Sequence, residues 1–159
     1  MGARSLARGA LTGALYVLIT LAAAPIGSGL LQARLSEALC VLPWFTPAAI
    51  PGLFLGCLLS NLLSGAVVYD VVFGSLATGL AALTTWWFRR LSLSKWLAPL
   101  PAVLINALVV GYLLANVYQV GVPMGLCALS VGAGQALACY GLGMPLLSVL
   151  EKHTGLWLR

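Results

Sequence analysis

Residues 27–37 read GSGLLQARLSE and contain Arg34 and Glu37, two of the few charged side chains in a chain that is 62% hydrophobic. The two residues are three positions apart, so on a helix they lie on one face. Long apolar segments surround this stretch. A charge among membrane segments is costly, and it needs a partner, a water-filled cavity or a ligand. The stretch therefore predicts the mouth of a membrane pocket that takes a small polar solute from outside.

The composition indicates a polytopic, all-α membrane protein. The 159 residues have a mean hydropathy of +1.06 and only 7% of them are charged, whereas a soluble domain carries about 25% charged residues. The net charge of +5 does not indicate nucleic-acid binding, because the basic residues lie at the ends of apolar segments. The four cysteines have no metal-ligand spacing and predict buried free thiols. We expect neither a metal nor a cofactor.

Prolines, glycines and interfacial tryptophans divide the chain into six expected transmembrane helices within one integral membrane domain. Their approximate ranges are 5–24, 34–45, 51–63, 70–88, 97–118 and 123–150. The second and third are short for a hydrocarbon core of about 30 Å. With six spans, seven of the eight basic residues fall on one side of the membrane and only Arg34 falls on the other. The positive-inside rule then predicts that both termini are cytoplasmic.

This topology concentrates polar side chains near the outer face, as a binding cup requires and a through-channel does not. We expect the solute to contact nine residues, which are Glu37, Arg34, Gln32, Asp70, Asn61, Tyr69, Asn116, Tyr118 and Gln135. Asn106 falls nearer the cytoplasmic half by this topology, and we expect a structural role for it.

Two roles are open for Glu37. Its carboxylate can accept two parallel N–H bonds, which is the donor pattern of a guanine-like base. Alternatively, it pairs with Arg34 in the first helical turn, where the helix dipole favours an acidic residue. Arg34 can instead hold a ligand carbonyl or anchor the chain at the interface. For Asp70, a helix-capping role is the alternative to ligand contact.

The first span carries small residues on one face, among them Ala10 and Ala14, which lie one helical turn apart. Such a face lets another helix approach closely. The partner can be a separate protein, or the face can pack within this chain. The residues that follow, 25–33, are expected to form a lid, because Gly27 and Gly29 make the backbone permissive and the short spans leave a gap to cover. A plain surface turn is the alternative.

Three runs of the sequence together resemble the QueT family. They are QARLSEAL at 32–39, IPGLFLGCLLSNL at 50–62 and DVVFGSLAT at 70–78. Members of this family are substrate-binding (S) components of energy-coupling factor (ECF) transporters for queuosine precursors. The resemblance is specific over most of residues 7–90, and over residues 97–150 it rests on hydropathy alone.

The resemblance implies six helices, cytoplasmic termini and an outward pocket for a 7-deazaguanine, either queuine or a biosynthetic precursor. It also implies docking to a transmembrane T component that works with two ATPase subunits, and Ala10 and Ala14 match the alanine pattern of the docking helix. No Walker, HExxH or Ser-His-Asp motif is present, so an enzyme is not expected. Two other interpretations stay open: an S component for another heterocycle or vitamin, and a non-transport membrane assembly protein.

Overall fold

Six helices and no strand make up the part of the chain that the computed structural model describes, residues 2–27 and 34–153. The helices are α1 (Ala3–Gly27), α2 (Leu35–Trp44), α3 (Ala49–Leu63), α4 (Asp70–Arg90), α5 (Lys95–Asn116) and α6 (Met124–Lys152). The prediction of an all-α protein is confirmed. Most of the expected lid, residues 28–33 with Gln32, lies outside the described residues.

Four of the helices, α1, α4, α5 and α6, are long and apolar enough to cross a membrane, whereas α2 and α3 are shorter. Large apolar side chains project outward from the long helices. Leu6, Leu18, Leu108 and Leu129 are all more than half exposed. Soluble proteins rarely leave so much apolar surface in water. These side chains therefore form the lipid-facing surface of a multi-pass membrane protein.

The short helix α2 winds as a 3-10 helix in the centre of the bundle. Nine of its ten residues, 36–44, are buried, and it packs against α1, α4 and α6. A 3-10 helix has three residues per turn, so Arg34, Glu37 and Cys40 lie in one row along its side. It rises about 2 Å per residue, so ten residues extend about 20 Å, farther than an α-helix of equal length.

Two π-turns interrupt the helices beside α2. One is Asp70–Gly74 at the start of α4, and the other is Cys139–Gly143 within α6. A π-turn shifts the register of a helix locally, and such turns are frequent at functional sites. Gly143 lies directly against α2, because a Cβ at this position would be 3.1 Å from the Ala38 carbonyl oxygen. The π-turn in α6 thus lets the backbone of α2 approach closely.

Contacts between helix ends show that successive helices along the chain alternate in direction. At one end of the bundle, the Arg89 guanidinium lies 5.6 Å from the centre of the Trp44 ring. At the same end, the Lys95 ammonium forms a salt bridge of 2.8 Å with Glu151. The start of α4, at Asp70, meets the segment after α5 at the opposite end. Arg89 and Lys95 therefore lie at the opposite end of the bundle from the start of α4.

The helices α1 and α3 cross with their backbones in contact. A Cβ on Gly52 would overlap the Gly9 carbonyl oxygen, and a Cβ on Gly56 would lie 2.9 Å from the Gly13 carbonyl oxygen. Small residues allow this approach, as in other membrane helix pairs. Part of the small-residue face of the first span therefore packs within this chain.

Replacing Gly52 with alanine is expected to destabilise the bundle. The new Cβ would collide with a backbone atom of α1, and overpacking of this kind costs about 1–3 kcal/mol. Thermal unfolding in detergent measures the effect. Gly125→Ala is the matched control, because nothing lies within 4 Å of the Cβ that it adds. Equal melting temperatures for Gly52→Ala and the unmodified protein would contradict the crossing.

Candidate functional site

The carboxylate of Glu37 lies inside the bundle and accepts hydrogen bonds on both oxygens. Its Oε1 accepts from the hydroxyls of Tyr16 and Thr78, the latter at 3.4 Å. Its Oε2 accepts from the Cys40 thiol at 2.9 Å and from the Asn106 amide at 3.2 Å. A carboxylate offers about four acceptor positions, so donors from the protein occupy all of them. We call these five residues the Glu37 cluster.

The donors of the Glu37 cluster come from four helices. Tyr16 belongs to α1, Thr78 to α4 and Asn106 to α5, while α2 itself supplies the thiol. All of these side chains are buried. The thiol of Cys139 in α6 adds a hydrogen bond of 3.4 Å to the backbone carbonyl of Glu37. Since a buried charge is costly without such partners, the cluster links α1, α4, α5 and α6 around α2.

Arg34 immediately precedes α2 but does not pair with Glu37. Its Nη1 lies 3.8 Å from the Cys57 sulfur. The salt bridge found among the described residues joins Lys95 and Glu151, so it does not involve Arg34. The alternative of an Arg34–Glu37 ion pair within one helical turn is therefore wrong. The guanidinium is half-buried and interacts electrostatically with Glu37 at longer range.

A small cavity lies beside the Glu37 cluster, among α2, α4, α5 and α6. The residues around it are Arg34, Glu37, Gly74, Asn106, Val110, Val131 and Gln135. The centre of a water molecule can move through only about 10 Å³ of it, which is room for about one water. Its wall combines a guanidinium, a carboxylate and two amides, so it can bind a compact polar molecule only if it widens.

Asp70 occupies the π-turn of α4 and is held by two neighbours. Asn61 of α3 donates to its backbone carbonyl at 3.1 Å, and the Tyr118 hydroxyl donates to its Oδ2 at 2.8 Å. Burial and this hydrogen bond to Asp70 raise the pKa of Tyr118 to about 12, so the phenol remains a donor at neutral pH. The helix-capping role is wrong, because Tyr69 takes the cap position and no side chain caps the helix.

The other oxygen of Asp70 has no hydrogen-bond partner among residues 2–27 and 34–153. Among the described residues, Asp70 Oδ1 is the one buried side-chain oxygen or nitrogen for which this is true. It faces Gly74, because a Cβ at that position would lie 3.9 Å from Oδ1. Gly74 also lines the cavity beside Glu37. Glu37 therefore lines the cavity directly, whereas Asp70 Oδ1 lies close to a glycine of the cavity wall without lining the cavity itself.

Five described residues of the expected set do not line this cavity, namely Asp70, Asn61, Tyr118, Tyr69 and Asn116. Tyr69 stacks on Phe73 with 6.4 Å between ring centres, and the Asn116 amide donates to the Tyr112 carbonyl in its own helix at 3.1 Å. Both Tyr69 and Asn116 line an open groove between α4 and α5, of about 660 Å³. By contrast, Gln135 lines the cavity and accepts a weak bond from the Cys139 thiol at 3.7 Å.

None of the four donors of the Glu37 cluster was among the residues expected at the site, and Cys40 was expected only as a buried free thiol. Asn106, which was expected in the cytoplasmic half, lies halfway along α5 and contacts Glu37. Tyr16 is the single aromatic residue of α1, and that isolation is the signal that could have identified it. Thr78 lies within the DVVFGSLAT run but resembles any helical threonine, so no sequence signal distinguishes it.

Ala10 and Ala14 are exposed on α1, beside the crossing with α3. They line an open groove of about 360 Å³ between the two helices, together with Gly9, Gly13 and Gly52. The surface of this groove is almost wholly apolar. The groove is separate from the Glu37 cluster, since none of its lining residues belongs to that cluster.

Comparison with known proteins gives one match. The model of a family described as QueT transporter matches residues 6–152, which is nearly the whole chain. No curated protein and no solved structure matches the chain. The match covers all five members of the Glu37 cluster and both sides of the cavity.

Removing the Tyr16 hydroxyl is expected to destabilise the protein. In Tyr16→Phe, Glu37 Oε1 keeps only the long hydrogen bond from Thr78, and an under-satisfied buried charged group costs about 1–3 kcal/mol or more. The melting temperature in detergent measures this loss. Tyr112→Phe is the control, because Tyr112 is 53% exposed. If both variants melt alike, the Tyr16–Glu37 bond does not stabilise the fold.

Proposed function

The chain belongs to the QueT transporter family, and on this premise we propose that it is the substrate-binding component of an ECF transporter for a 7-deazaguanine. The ligand in this proposal is queuine or a biosynthetic precursor of queuosine. The chain itself binds the ligand within the membrane, and separate ATPase subunits hydrolyse ATP. It is thus a transporter subunit and not an enzyme.

The observation that carries the proposal is the buried Glu37 carboxylate beside a polar cavity. A buried charge is seldom present for stability, because the cost of desolvating it offsets its favourable contacts. Apolar side chains of similar size would stabilise the fold about as well. Ionisable residues inside membrane proteins instead mark ligand sites and transport pathways. A carboxylate also matches the adjacent ring N–H and amino group of a deazaguanine, which form two parallel donors.

We propose that Glu37 accepts this donor pair, while Arg34 and Gln135 bond the ring carbonyl and the remaining polar atoms. Protein donors occupy the Glu37 oxygens in this structure, so binding exchanges bonds from Tyr16 and Asn106 for bonds from the ligand. The cavity must also widen, because ligand pockets usually measure about 300–1,000 Å³. Displacement of Arg34 is the simplest way to widen it, since among the described residues the contact of its guanidinium is a weak one, with the Cys57 thiol at 3.8 Å.

The remaining residues of the expected set are proposed to receive the ligand on its way from the outer face. Asp70 stands at the outer side of the cavity, and the groove between α4 and α5 opens beside it. The residues given this role are Asp70, Asn61, Tyr118, Tyr69, Asn116 and Gln32.

We further propose that all six helices cross the membrane and that both termini are cytoplasmic. The alternating helix directions support six crossings, with α2 and α3 as a short pair. Arg89, Arg90 and Lys95 lie at one end of the bundle, and a basic end is cytoplasmic by the positive-inside rule. Asp70 then faces the outside, as uptake requires.

The groove beside Ala10 and Ala14 is the proposed docking face for the transmembrane T component. It is apolar and exposed, and its small residues allow a partner helix to approach closely. The two ATPase subunits would join the complex through the T component. Docking and ligand binding are expected to be separable, because the groove and the cavity share no residue.

A methyl group added at Gly74 is expected to weaken ligand binding without weakening the fold. The new Cβ would have ordinary contacts, at 3.4 Å from the Asn61 amide and 3.9 Å from Asp70 Oδ1. Alanine also favours a helix over glycine by about 1 kcal/mol. However, Gly74 lines the cavity, so the methyl would add bulk at the wall that has to give way to the ligand. Equilibrium binding of queuine to purified Gly74→Ala, beside a thermal melt, measures both effects.

Gly141→Ala is the matched control, because its Cβ would meet nothing within 4 Å and lies away from the cavity. Affinity at least several-fold lower in Gly74→Ala, with an unchanged melt, is the expected result. Normal affinity in this variant would move the binding site elsewhere. Failure of the unmodified protein to bind any deazaguanine would refute the proposed function itself.

Bulky residues in the groove are expected to abolish assembly but not binding. Ala10→Trp and Ala14→Trp should retain ligand affinity, since neither residue touches the Glu37 cluster, yet fail to copurify with the T component. Leu11→Trp is the control, because Leu11 is 53% exposed but does not line the groove. Normal copurification of both alanine variants would rule out this face as the docking surface.

A further inference from the structure

We propose that Asp70 recognises a positively charged group on the ligand, so that the substrate is a deazaguanine carrying a protonated amine. This inference rests on the proposed function and narrows its substrate class. A neutral deazaguanine, for example one with a nitrile in place of the amine, is then the poorer ligand.

Asp70 has a buried carboxylate oxygen, Oδ1, that no described residue hydrogen-bonds. The residue is only 7% exposed, and while Oδ2 accepts the Tyr118 hydroxyl, Oδ1 has no partner in the part of the chain that the structure describes. Buried polar atoms are nearly always hydrogen-bonded, and an exception calls for an explanation. Oδ1 lies close to Gly74, which lines the cavity, so a donor on a ligand that widens the cavity at this wall can satisfy it.

The formal charges around the cavity do not balance. Glu37 and Asp70 contribute two negative charges, and Arg34 contributes one positive charge that interacts with both. The sum is one negative charge in the outer half of a membrane bundle, where an unbalanced charge is costly. A ligand with one positive charge makes the site neutral, whereas a neutral ligand leaves the excess in place.

The carboxylates of Glu37 and Asp70 differ in how fully the protein hydrogen-bonds them. Every acceptor position of Glu37 has a donor from the protein, and each such bond must break before Glu37 can bind a ligand. Asp70 Oδ1 needs no exchange. An ammonium group carries three N–H donors, and its bond to a carboxylate is about twice as strong as one between neutral groups. Asp70 is therefore the specificity-determining residue, and Glu37 recognises the ring that all deazaguanines share.

The test compares two ligands with the same ring, 7-aminomethyl-7-deazaguanine and 7-cyano-7-deazaguanine, on the purified protein. We expect the amine to bind at least about tenfold more tightly, which corresponds to one hydrogen bond between charged groups. In Asp70→Asn the amine should lose that advantage, while the affinity for the nitrile stays within about twofold. Glu151→Gln, which removes a carboxylate at the other end of the bundle, should keep the full preference.

Equal affinity of the unmodified protein for the two ligands would overturn the inference while leaving the proposed function intact. An undiminished preference for the amine in folded Asp70→Asn would also overturn the inference, because another group would then bind the ammonium. If neither ligand binds, the proposed function fails and this inference fails with it. The comparison on the unmodified protein decides the matter even if Asp70→Asn does not fold.

Discussion

The hydrogen bonds that surround the Glu37 carboxylate constrain the whole structure. A carboxylate in an apolar bundle is costly unless both oxygens have donors, and here the donors come from α1, α2, α4 and α5. Successive residues of an α-helix point about 100° apart, so a one-residue rotation of α1 or α5 would remove Tyr16 or Asn106 from the cluster. One side chain thus fixes the rotation of several helices that otherwise present interchangeable apolar faces.

The central helix can carry this residue only because its neighbours make room for it. As a 3-10 helix, α2 is narrower and longer than an α-helix of ten residues, and the glycine at 143 lets α6 approach its backbone. The glycine crossing of α1 with α3 draws the two helices together and leaves an apolar groove beside Ala10 and Ala14. The same close packing therefore produces both an interior polar cavity and an exterior face suited to another membrane protein.

Hydropathy and prolines predict the helices well, because the length of each apolar segment and the residues that end it are visible in the sequence. Arg34, Glu37 and Asp70 stand out for a similar reason, since charges are rare in this chain. The hydrogen-bond partners of Glu37 do not stand out, because one sequence does not reveal how deep a residue lies in the membrane or how a helix is rotated about its axis. That limit placed Asn106 too near the cytoplasm and grouped Tyr69 and Asn116 with a cavity that they do not line. The 3-10 winding of α2 and the π-turns depend on tertiary packing, so local sequence patterns do not reveal them.

Binding of a deazaguanine in the cavity beside Glu37 is the central claim, and an experimental structure of the protein with such a ligand bound tests it most directly. The account predicts the ring within hydrogen-bond distance of the Glu37 carboxylate, with Arg34 displaced and the cavity widened to enclose the ligand. Density for the ligand in the α1–α3 groove or in the outer groove between α4 and α5, with the hydrogen bonds of the Glu37 cluster unchanged, would contradict it.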